Sequence, residues 1–236
     1  MKPVNRLLTL LSLTTVVISI ERVSPTTRVL LQPYNFLHLH ELVQMGLISA
    51  FSVVISFLLL RAVSRNFRLL QDGIGASLGA IYVLGTYFYA AGNGVHEVAS
   101  FLFNEFCDTK HFTSTVCGSM HFNDYYVGNV IYFLGLGLSN LALVLIELRH
   151  PDDTMDRRDA RVTVANGLVL TLTFFAYDAF DRVAVGLVST IAYAIIFGFL
   201  LFRSQARYRT LPFTLHSALG FSVASILAIP VRIAVQ

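Results

Sequence analysis

Runs of apolar residues long enough to cross a bilayer, and almost free of charge, recur along the whole 236-residue chain. They cover roughly residues 4–20, 42–60, 73–92, 126–146, 163–180, 183–202 and 212–230. A helix crossing the hydrocarbon core needs about 20 such residues. Inside lipid the backbone must satisfy its own hydrogen bonds, which leaves helices as the form for runs this long. Only 13% of the residues are charged, about half the usual share of a water-soluble domain, about 25%. The sequence therefore predicts an all-α integral membrane protein: a seven-transmembrane-helix bundle forming one polytopic domain over 1–236, embedded in the lipid bilayer.

Basic residues give the orientation. Arg61, Arg65 and Arg68 lie in one short loop, Arg149, Arg157, Arg158 and Arg161 in another, and Arg203, Arg207 and Arg209 in a third. With Lys2 and Arg6, this places 12 of the 17 basic residues on one side, the pattern of cytoplasmic loops. The expectation is a cytoplasmic N-terminus, an external C-terminus and a plasma (inner) membrane location, with the 93–125 loop on the non-cytoplasmic side. The same distribution removes nucleic acid as a partner, despite a pI near 9.0, because the charges flank apolar runs. The first run, LLTLLSLTTVVISI, follows Lys2 and Arg6 as a signal peptide would. No small-x-small cleavage pattern precedes ERVSP, so a retained helix is favoured. Cys107 and Cys117, the only two cysteines, both fall in the 93–125 loop. A disulfide between them fits an oxidising compartment.

Polar residues gather at one end of the runs. On a helical period Asn93, His96, Glu97, Ser100, Asn104 and Cys107 share a stripe, so the third helix is expected to continue as an amphipathic segment to about residue 106. His38, Glu41, Met45, Ser49, Ser52 and Ser56 form a second stripe, and His121, Asp124, Tyr125, Gly128, Tyr132, Gly135 and Ser139 a third. The fifth run ends with Tyr177, Asp178 and Asp181. All these ends lie on one side in the expected topology. Imidazole and carboxylate together suit zinc, iron or manganese, which makes His38, Glu41, His96 and His121 candidate ligands. Glu97 and Asp124 are then candidate general bases on a metal-bound water, acting on an amphiphilic, lipid-like ligand that enters from the outer leaflet.

Plainer explanations exist for several of these. Glu41 and Asp124 sit near expected helix starts, where the macrodipole favours a carboxylate. Asp178 has Arg182 at i+4. Gly128, Gly135 and Gly137 permit close helix approach. Two other functions use the same residues: a non-enzymatic accessory subunit or transporter, and a redox carrier with haem held by two histidines. The near absence of charge in the middle of the spans weighs against an ion pathway.

NFLHLH resembles part of the first motif of the zinc-dependent membrane hydrolases of the adiponectin-receptor and alkaline-ceramidase group. That group also carries paired histidines in the last helix, where this chain has His216 alone, so no residue role is carried over. GNGVHEVAS has Ser100 at the position that H-E-x-x-H gives to its second histidine.

Overall fold

The computed structural model describes residues 3–151, 153–205 and 207–235; Lys2, counted in the charge asymmetry, lies outside them. Seven helices are long and apolar enough to cross a membrane. They are α1 (Pro3–Glu21), α2 (Leu39–Val63), α3 (Gly73–Phe106), α4 (Thr115–Arg149), α5 (Arg157–Phe180), α6 (Val185–Arg203) and α7 (Pro212–Val235). No β-strand occurs among the described residues. Leu13, Val17, Phe51, Val54, Leu172 and Ile195 are exposed, as the lipid-facing surface of such a bundle requires.

Local chemistry sets the helix ends. Asp72 accepts from the Gly75 amide at 2.6 Å and caps α3, Ser114 caps α4, and Asp156 caps α5. Pro212 opens α7, where its missing N–H costs nothing. Two helices contain a π-helical turn, Val43–Ile48 in α2 and Asn123–Gly128 in α4. Each turn lies inside a stripe of His, acid and small residues.

Helix α4 begins at Thr115, well before the run that starts at 126. Asp124 is therefore inside the helix and not at its start, and the macrodipole does not account for it. Likewise α3 is continuous to Phe106, with Cys107 bonded to Cys117 across the short connection (S–S 1.97 Å).

Helices α3 and α4 lie in backbone contact. A Cβ on Gly92 would be 2.2 Å from the Tyr132 nitrogen, and one on Gly135 would be 2.1 Å from the Tyr89 nitrogen. Gly128 meets His96 in the same way at 2.9 Å. Gly137 instead makes room for the Tyr193 ring of α6, whose hydroxyl donates to the Phe133 carbonyl. The far half of the bundle is filled by aromatic rings: Phe133 against Phe174, Phe174 against Phe221, and Phe197 against Phe221. Helix α1 docks through Asn5, whose amide donates to the Asp159 carbonyl at 3.0 Å and whose carbonyl accepts from Thr163 at 2.8 Å.

Candidate functional site

The three polar stripes meet on α3. From α2, Ser49 Oγ accepts from Asn93 Nδ2 at 2.7 Å. Ser52 lies beside the Tyr89 hydroxyl, and Tyr82 donates to Ser56 at 2.9 Å. The result is a ladder of side-chain amide and hydroxyl groups that descends from the end of α3 towards its middle. From α4, Tyr132 packs on Tyr89 with ring centroids 5.0 Å apart. The spacing of the serines, at i, i+3 and i+7, is what lets one face of α2 follow one face of α3.

At the head of the ladder His96 Nδ1 lies 2.8 Å from Asp124 Oδ1 and 3.2 Å from the Asp124 carbonyl. A carbonyl oxygen only accepts, so Nδ1 is the nitrogen that carries the proton, and Nε2 is left to act as base or ligand. The close approach of Gly128 to the His96 backbone fixes this pair. Asp124 and Glu97 are both buried within the bundle, at 1% and 5% exposure. Glu97 is 3.9 Å from Arg22, with His96, His40 and Glu41 in electrostatic range.

A second hub lies at the end of α1. Glu21 accepts from Gln44 at 2.6 Å and from Thr26 at 2.5 Å, and its other contact is His40 Nδ1 at 2.5 Å. Glu21, Arg22 and His40 were not among the sequence candidates. The signal available was an acid and a base directly at the end of the first apolar run.

The remaining candidates have separate places. Glu41 accepts from the His38 backbone nitrogen at 2.9 Å, so it caps α2, as the dipole argument anticipates. The His38 ring lies near Glu41 and edge-on to Phe101. His121 is packed among Phe103, Phe112 and Tyr125, with centroids 4.7–5.3 Å away. Arg182 does not pair with Asp178: α5 ends at Phe180, and the guanidinium turns to the Thr109 carbonyl and the Tyr125 ring. The cation beside Asp178 is Arg232 of α7, which donates to the Asp178 carbonyl at 2.8 Å. Burial pushes the carboxyl of Asp181, just beyond α5, above the usual carboxylate range.

Among the described residues no group of three or more His, Cys, Asp or Glu is gathered as a metal shell. Each of the candidate ligands already has a different neighbour: His38 its own helix cap, His96 Asp124, and His121 a set of rings. A concavity of about 510 Å³ is lined by Val95, Val98, Leu102 and Met120. Ala99 and Asn123 also line it, and neither His96 nor Asp124 is among its lining residues.

No protein-family model matches the chain, and no curated protein or solved structure matches it either. What the fold defines is a polytopic, membrane-like helical bundle.

Proposed function

We propose that this is a proton-coupled membrane transport protein that takes up protons from the non-cytoplasmic side through His96 and Asp124. The observation that carries the reading is the ladder below that pair: Asn93–Ser49, Tyr89–Ser52 and Tyr82–Ser56. Hydroxyl groups both donate and accept, so the serine and tyrosine hydroxyls of these cross-helix pairs, joined by water from one pair to the next, would pass a proton where a charged residue would be too costly. Six carboxylates (Glu21, Glu41, Glu97, Asp124, Asp178 and Asp181) meet three arginines and the histidines 38, 40 and 96 at this end. Electrical balance in the layer therefore depends on protonation. The basic-residue asymmetry supports an external position for it, as does the Cys107–Cys117 bond at the same end.

The test is proton uptake by the purified protein as the pH is lowered from about 8 to about 5, the range in which imidazole ordinarily titrates. The parent is expected to take up on the order of one proton more than His96→Gln or Asp124→Asn. Equal uptake by folded parent and variants would remove the reading.

A metal-dependent reaction on a lipid-like substrate is the second reading, favoured by one observation: Nδ1 of His96 held by a carboxylate is the usual support of a metal-bound imidazole. It would require stoichiometric zinc, iron or manganese in the parent that is lost in the His96→Ala, Glu97→Ala double variant. The proton reading expects elemental analysis to find no such metal in either.

A further inference from the structure

We propose that the basic end of the bundle holds one anionic phospholipid, its phosphate headgroup bound by Arg157, Arg161 and Arg209 and its chains laid along the exposed face of α5. A concavity of about 340 Å³ lies between the first turns of α5 and the turn that joins α6 to α7, lined by Met155, Asp156, Arg157, Ala160, Arg161 and Arg209. The two segments are tied together, since the Met155 amide donates to the Arg209 carbonyl at 2.7 Å. Met155 itself is buried, so the hollow has a packed floor.

The three arginines are free to take an anion. Among the described residues none of them has an ion pair or a side-chain hydrogen bond, and Arg209 rests only on the ring of its neighbour Tyr208. Elsewhere at this end Arg149 is held by Asp72, Arg61 by Asn66 and Arg65 by the Pro151 carbonyl. The single acid on the wall, Asp156, is already engaged, accepting from the Asp159 amide at 2.7 Å. Orientation in the membrane asks only that arginines lie in the loops. It does not ask that three of them, from two loops, surround one hollow unpaired.

Donor type and surroundings choose the occupant. Guanidinium groups offer planar forks of N–H donors that match phosphate oxygens, and three of them against one carboxylate leave two positive charges in excess. The start of α5 adds its positive dipole. The apolar part of the ligand follows from the helical period. Arg157, Arg161, Val164, Leu168 and Leu172 fall on one face of α5, and Val164, Leu168 and Leu172 are exposed at 40%, 47% and 63%. One face thus runs from a phosphate-binding head to a lipid-facing strip, which fits an amphiphile better than a free anion. Basic pockets beside transmembrane helices, at the end that their arginines mark as cytoplasmic, suit acidic headgroups.

The proposal stands apart from proton uptake at His96 and Asp124, which lie at the opposite end, and its test is made at constant pH. Native mass spectrometry of the full chain, released from detergent micelles, is compared with added phosphatidylglycerol, with phosphatidylcholine of the same chains, and with inorganic phosphate as competitor. One phosphatidylglycerol per chain is expected to bind saturably, at least about tenfold more tightly than phosphatidylcholine. Arg161→Gln and Arg209→Gln each weaken it by on the order of tenfold, the loss of a charge-assisted hydrogen bond. Arg68→Gln, at the same end but outside the hollow, leaves it unchanged. Equal binding of the two lipids by the parent would overturn the site, whether or not any variant folds. So would an equal loss in Arg68→Gln, which reports general attraction to a basic surface. Displacement of the lipid by inorganic phosphate at equal concentration would overturn the lipid and assign the hollow to a free anion.

Discussion

Glu147 shows what a buried carboxylate does when its role is structural. It accepts from the Phe213 amide at 2.9 Å, from the Thr214 amide at 2.7 Å and from the Thr214 hydroxyl at 2.6 Å. It thus supplies acceptors to the unsatisfied first amides of a neighbouring helix. Glu147→Ala is expected to lower stability by about 2–4 kcal/mol, since each lost bond involves a charge and strands a buried donor; detergent-phase chemical denaturation measures it. Asp72 behaves differently because it is exposed. The Arg149 guanidinium, and then the Gly75 amide, hold its carboxyl below the usual carboxylate range. A lowered folded-state value means that its contribution is present above the ordinary carboxylate pKa and is lost as pH falls through the folded one. Asp72→Asn is therefore expected to flatten the acid limb of the stability curve and leave stability less dependent on pH below about 4. Little of this was legible beforehand. His96 and Glu97 were legible as part of a polar stripe on the third helix, whereas the partners of Glu147, Glu21 and Asp178 come from helices distant in sequence, which no local pattern reveals.

At the scale of elements the sequence was more informative, because the relevant signal is periodic. The serines of α2 and the glycines of α4 were readable as faces, and each face meets α3 with the matching spacing. Gly85 and Gly92, their counterparts on α3, were missed because small residues were weighed only on α4. Gly92→Val is expected to separate α3 from α4 and destabilise the protein by more than about 3 kcal/mol, since a Cβ 2.2 Å from a backbone nitrogen leaves no side chain to yield. Loss of cooperative thermal unfolding, or of monodisperse folded protein, would register it; a variant as stable as the parent would show that the helices do not touch there. The length of α4 was misjudged because its first turns, Thr115–Phe122, are polar enough to read as a loop. Its π-turn at Asn123–Gly128 has no apolar period to detect, yet it carries Asp124 towards His96.

Across the whole molecule two halves share one polar end. The α5–α7 half is packed with aromatic rings, and the α2–α4 half carries hydroxyls inward from the acid–histidine layer. The near absence of charge in the middle of the spans weighs against an ion pathway; the proposed proton route rests instead on hydroxyl groups, which carry none. Helix α1 belongs to the same assembly, since Asn5 and Leu8 are fully buried at 0% exposure and Glu21 and Arg22 complete the layer. The most direct measurement of the central claim is proton flux into proteoliposomes containing a trapped pH-sensitive dye, driven by a potassium diffusion potential. The account predicts flux above that of protein-free liposomes, reduced at least about tenfold by Asp124→Asn and by Ser52→Ala with Tyr89→Phe, if each step of the ladder contributes a barrier of general acid–base size. Flux equal to that of protein-free liposomes, or undiminished in the folded ladder variant, would contradict it.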